Sequence, residues 1–154
     1  MKPFFTPLIS LFLIGALALT GCSNTGRMLA TGLEVELTSI ERESDGSVAV
    51  SWQFKNTNIV PYMLSQVTHK IQLNGTVLGT ISDKEALALP ANNRAGRTSK
   101  LAGVDANASR VLTEAIAAGS ANYRLDSQIT VLIYDDNDEK SALGNSGTVK
   151  VTAK

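Results

Sequence analysis

Apolar residues recur at every second position along most of this chain, and that period constrains its fold more than any other feature. Val48, Val50, Trp52 and Phe54 fall on one parity, while Ala49, Ser51, Gln53 and Lys55 fall on the other. Side chains alternate between faces only in a β-strand, so this run predicts a strand with one buried side, holding the single tryptophan. The same reading applies to Leu33, Val35 and Leu37, and to Val67, His69, Ile71 and Leu73. Turn residues punctuate these runs. Asp45-Gly46 and Asn74-Gly75 are hairpin pairs, and Asn56-Thr57-Asn58, with Pro61 just beyond, reads as a shaped turn.

Further strands are predicted over Thr76 to Ile81, Glu85 to Leu89 and Arg97 to Val104, with Ala91 to Gly96 as a loop. One segment departs from the two-residue period. Ala108, Val111, Leu112, Ala115 and Ile116 are spaced three and four apart, which predicts a short helix over 107–118. Asp105 or Asn107 caps its start and Gly119 stops it. A long strand follows with Tyr123, Leu125, Ile129, Val131 and Ile133 inward, then a polar loop from Asp135 to Ser146. Thr148 to Thr152 closes the domain with Val149 and Val151 inward. Seven to eight strands at hairpin spacing with one helical crossover predict an all-β fold, an immunoglobulin or fibronectin-III-like β-sandwich. A small closed barrel is the alternative.

The N-terminus has a different character. Lys2 precedes an apolar stretch from Phe4 to Leu19, which ends in Leu19-Thr20-Gly21-Cys22. Sixteen residues are short for a bilayer span, which takes about 20, and suit a signal segment cleaved at small residues. Residues 1–21 are therefore expected to be a lipoprotein signal peptide, 22–31 a lipidated tether and 32–154 one β-rich domain. Cys22, the sole cysteine, is the expected lipidation site, which leaves no internal disulfide. Several acyl chains together anchor stably where one binds reversibly. Ser23, not aspartate, follows the cysteine, which favours the outer membrane, facing the periplasm, by analogy with enteric-type bacteria.

Removing residues 1–21 leaves thirteen basic and fourteen acidic side chains. That balance supplies no electrostatic footprint for nucleic acid and no polybasic patch for anionic lipid.

The run from Val48 to Pro90 resembles the late embryogenesis abundant (LEA) type 2 family, whose domain is also called the water stress and hypersensitive response (WHy) domain. The resemblance lies in Val50-Ser51-Trp52-Gln53-Phe54-Lys55-Asn56-Thr57-Asn58, a proline soon after, Ile71-Gln72-Leu73-Asn74-Gly75, and Leu87-Ala88-Leu89-Pro90. Ala121-Asn122-Tyr123-Arg124-Leu125 also fits. Where the family usually has Asn-Pro-Asn, this chain has Asn56-Thr57-Asn58. The resemblance implies a fibronectin-like fold, a role in desiccation or other water stress, and no catalytic residues. Trp52, Phe54, Asn56, Asn58, Asn74 and Gly75 are its structural motif.

Residues that could carry chemistry are few. His69 is the only histidine, on an apolar strand face, where a base or ligand is conceivable but a satisfied, partly buried side chain is the simpler expectation. Gly144-Asn145-Ser146-Gly147 is one residue too short for a nucleophile elbow. Asp135-Asp136-Asn137-Asp138-Glu139 is the densest oxygen cluster, yet Lys140 stands where a calcium loop counted from Asp135 requires glycine. Zinc lacks ligands. Arg94, Arg97 and Lys100 read as a solvated face. The expectation is a non-enzymatic, membrane-anchored envelope lipoprotein with no metal, cofactor, small-molecule substrate or nucleic-acid partner. It protects in desiccation or water stress by binding proteins or surfaces, envelope proteins among its possible partners, or alternatively it is a structural accessory subunit that docks onto a larger envelope complex or transporter.

Overall fold

The computed structural model describes residues 31–133 and 137–154. The expected signal segment, Cys22 and the expected tether up to residue 30 lie outside the described residues, as do Asp135 and Asp136 and the side chains of Ile133 and Asn137.

Eight strands and one helix follow in order: β1 (Leu33–Arg42), β2 (Val48–Asn56), β3 (Tyr62–Leu73), β4 (Thr76–Asp83), β5 (Leu87–Leu89), β6 (Arg94–Lys100), α1 (Ala106–Ala118), β7 (Ser120–Ile133) and β8 (Asn137–Ala153). The all-β expectation holds. The expected division into two immunoglobulin-type sheets does not appear in the hydrogen bonding, which links the strands into one mixed sheet ordered β4-β3-β7-β8-β1-β2-β6, with β5 on β3. All pairs are antiparallel except β1 with β8, where Ser39–Arg42 run parallel to Lys150–Ala153.

The sheet curls around its own core. β2 and β3 share no ladder, yet the rings of Trp52 and His69 lie 4.6 Å apart. The two ends of the sheet also meet: Thr80 of β4 and Ala102, just past β6, exchange backbone hydrogen bonds of 2.9 Å. The core is the predicted parity made solid. Val48, Val50, Trp52 and Phe54 are buried, as are Val67, Ile71 and Leu73, Leu125, Ile129 and Val131, and Val149 and Val151.

The helix starts at Asp105, whose carboxylate accepts from the Ala108 N–H at 2.7 Å, and ends at left-handed Gly119. Ala108, Val111, Leu112 and Ala115 are buried, while Ile116 is partly buried. It packs against β4, β8 and β7.

Three predicted boundaries need correction. The strand expected over Glu85 to Leu89 is only Leu87–Leu89, because Glu85 lies outside it against Arg97. The strand expected over Arg97 to Val104 is Arg94–Lys100, taking in half of the expected loop. Gly96 permits this. A Cβ there would sit 2.1 Å from the Trp52 carbonyl oxygen, so β6 can lie against β2 only with glycine at that position. The polar loop expected from Asp135 to Ser146 is mostly strand, since β8 pairs with β7 residue by residue from Asn137–Ile133 to Lys150–Ser120.

Candidate interaction surface

The expected motif residues collect at two places. Trp52 and Phe54 are 2% and 0% exposed, with ring centroids 5.6 Å apart in an edge contact. Both flank His69, which is fully buried. His69 Nδ1 pairs with Ser127 Oγ at 2.7 Å, and its Nε2 has no partner. Burial pushes the His69 pKa down to about 4, against a smaller opposing pull from the Asp83 carboxylate. Ser127 sits on the buried parity of β7 between Leu125 and Ile129, a polar position that alternation alone would have indicated. A histidine–serine contact suggests nucleophile chemistry, but here both groups are enclosed by Trp52, Phe54 and the sheet. The pair fills the core and offers no face to a substrate.

Asn56 continues the buried parity of β2 and is 1% exposed. Its amide nitrogen donates to the carbonyls of Val60 at 2.8 Å and Pro90 at 3.1 Å, and its oxygen accepts from the Asn58 N–H at 2.9 Å. Asn58 Nδ2 donates to Thr31 O at 3.0 Å, and the Thr57 N–H and hydroxyl both donate to Gly32 O. The Asn92 N–H reaches Asn58 O, and the Asn56 N–H reaches Asn93 O. This knot fastens the chain's arrival at β1, the β2–β3 turn and the β5–β6 turn at one pole. Gly32 is part of its close packing, since a Cβ there would come within 2.7 Å of the Asn58 side chain. The remaining pair, Asn74 (φ 46°) and Gly75 (φ 82°), makes the predicted β3–β4 turn, with Asn74 docked on the backbone of Asn122.

The other candidates disperse. Arg97 Nη1 contacts both Asp83 carboxylate oxygens, at 3.2 and 3.1 Å, and Glu85 at 3.3 Å. It also donates to the carbonyls of Glu85 and Ala86. Lys100 faces Asp45 at 3.9 Å, while Arg94 is exposed. No shared basic face forms from the three. Asp135 and Asp136 lie outside the described residues, and among the described residues no group of three or more His, Cys, Asp or Glu could hold a metal ion. Nor is any described helix long and apolar enough to cross a membrane.

The sequence pattern assigns no role to Ile59 and Val60, which lie between the Asn56-Thr57-Asn58 turn and Pro61, although two large apolar residues there are themselves a signal. Ile59 is 85% exposed, and Val60, Pro61, Met63 and Leu132 are exposed beside it. Pro61, Met63, Ala88, Pro90 and Leu132 line a shallow, mainly apolar groove at the knot's pole.

No protein-family model matches this chain, and neither does any curated protein sequence. Among solved structures, it is similar to a crystal structure of a protein from Archaeoglobus fulgidus. The identity is 14% and the TM-score 0.49, over 78% of this chain and 95% of that one. It is also similar to a solution structure of an Arabidopsis thaliana protein at 14% identity and TM-score 0.47, over 79% of each chain. A third is the solution structure of a provisionally assigned late embryogenesis abundant (LEA) protein. Here the identity is 11% and the TM-score 0.41, over 84% of this chain and 80% of that one.

Proposed function

We propose that this chain is a lipid-anchored envelope protein of the LEA type 2 (WHy) kind. Its domain would protect proteins or surfaces during water stress without catalysing a reaction. The observation that carries the reading is the placement of the resemblance motif. Trp52, Phe54 and Asn56 are all spent on core and turn, and Asn56 and Asn58 hold one pole of the domain rigid. The finer fold assignment belongs to the same proposal: a fibronectin-type sandwich in which β1, β2 and β6 face β3, β4 and β7. Anchoring through Cys22 rests on the sequence up to that cysteine, and the outer membrane facing the periplasm on Ser23 after it.

A deletion strain scored for survival of drying, osmotic shock and freezing tests the function, with Cys22→Ala separating anchoring from folding. Survival equal to the parent in all three, together with a purified protein that spares no client enzyme from drying, would sink it.

One observation favours the second reading, an accessory subunit completed by a partner's strand. The β1–β8 ladder covers only Ser39–Arg42, and beyond it the Val35 carbonyl is taken by a side chain, Asn145 Nδ2 at 2.7 Å. An edge held by a side chain can be displaced by a strand. Crosslinking from intact membranes tests this; a stable partner joined near Val35 supports it.

A further inference from the structure

The first described residue lies at the same pole as the exposed apolar residues Ile59, Val60, Met63 and Leu132. Thr31 O is held by Asn58 Nδ2, and the residue after Asn58 is Ile59, the most exposed large apolar side chain among the described residues. Val60 and Pro61 follow, and the apolar groove of Met63, Ala88 and Leu132 continues from them. The whole segment 57–63 carries no charged residue. Turns ordinarily use Gly, Pro, Asn, Asp and Ser, so Ile59 and Val60 at a tip leave apolar surface in water without serving the turn. The tip cannot relax onto the core, because Asn56 grips the Val60 carbonyl at 2.8 Å.

We infer that this tip is a membrane wedge: Ile59, Val60 and Pro61 enter the acyl-chain boundary of the bilayer that holds the protein, with Met63 and Leu132 following at the interface. The inference rests on the proposed acylation of Cys22. Eight residues lie between Cys22 and Thr31, nine Cα–Cα steps with a reach of at most about 30 Å when extended and about 15–18 Å as a flexible coil. The chain must therefore come off the lipid and meet the fold at the pole bearing the tip. That arrangement turns the tip toward the bilayer and keeps it at high local concentration there. The opposite pole, with Val77 on the β3–β4 hairpin, is about ten strand residues away, roughly 33 Å. Since the tip is uncharged, its insertion depends on apolar area and not on anionic headgroups, so salt should not release it.

An acylated Cys22 leaves any second cysteine uniquely open to labelling. Full-length Ile59→Cys and Val77→Cys proteins would be expressed in a lipoprotein-processing host, with acylation of Cys22 checked by mass spectrometry. Each would then be labelled with an environment-sensitive fluorophore and placed in phosphatidylethanolamine–phosphatidylglycerol vesicles. The expected result is a blue-shifted, several-fold brighter probe at position 59, quenched by spin labels on lipid acyl chains and indifferent to salt. The probe at position 77 should stay water-like. A water-like probe at 59 on acylated, vesicle-bound protein overturns the wedge and leaves the anchoring reading standing. A blue shift that grows with protein density but escapes lipid quenchers assigns the tip to a second copy and also overturns the wedge. An unmodified Cys22 overturns both readings together.

Discussion

Asn56 occupies the parity at which β2 otherwise buries Val48, Val50, Trp52 and Phe54, and its burial is affordable only because every amide atom is used. Truncation in Asn56→Ala strands the Val60 and Pro90 carbonyls and the Asn58 N–H. The expected loss is about 2–3 kcal/mol, read from the urea midpoint by emission of the single tryptophan. Asn56→Asp should cost more, because a carboxylate would face two carbonyl oxygens. His69 makes a second prediction at this scale. The unfolded chain takes up a proton at His69 near pH 6.5, whereas the folded chain resists until about pH 4. Between these values the unfolded state binds more protons, so stability falls as pH falls through that window. The decline totals about 3 kcal/mol, from roughly 1.4 kcal/mol per pH unit. His69→Leu should abolish this part of the slope whatever it does to the baseline. Equal slopes in the two proteins, followed by denaturant unfolding from pH 7.5 to 4, would refute the buried-neutral assignment.

Elements were legible in the sequence to the extent that burial imposed a period. β1, β2, β3 and the buried part of β7 announce themselves by alternation, and α1 by its three-and-four spacing and its Asp105 and Gly119 caps. β6 is expected three residues late, over Arg97 to Val104, and the first half of β8 is expected as loop, because neither has a fully buried face. In β6 exposed positions alternate with half-buried ones, as they do in Glu139 to Leu143 of β8. Such strands owe their order to the ladders they join, with β2 and β7 respectively, and a ladder leaves little trace in local composition. The knot was half legible: Asn56-Thr57-Asn58 signalled a turn, but its grip on Gly32 and Asn92 depends on contacts distant in sequence. Gly96 tests the ladder argument. Gly96→Ala drives a Cβ against the Trp52 carbonyl and should lift β6 off β2, costing about 2–4 kcal/mol. Amide exchange should quicken first along 94–100, before the β7–β8 ladder. Unchanged protection there would mean that β6 gains little from its contact with β2.

At the scale of the whole molecule, the curl must be closed where β4 and β6 meet, and the closure is slight. One backbone bridge, Thr80 with Ala102, joins these edges, and beside it Arg97 of β6 reaches across to Asp83 at the end of β4. Arg97 and Asp83 side chains are 25% and 12% exposed, so their charges are only partly screened, and the guanidinium is further fixed by the Glu85 and Ala86 carbonyls. A pair of this kind lies between the surface case, near zero, and the buried case. Arg97→Met should therefore cost about 1–3 kcal/mol. Asp83→Asn keeps an acceptor and should cost less, and the double variant should show that the two losses are not additive. Where stability is lost decides the matter. If the clamp holds the seam, exchange at the Thr80 and Ala102 amides rises by more than at the centre of β7 and β8, because the sheet can open at its ends while its middle stays paired. If every amide loses protection equally, the curl is held by the shared core around Trp52 and Ile71, and the seam merely follows it.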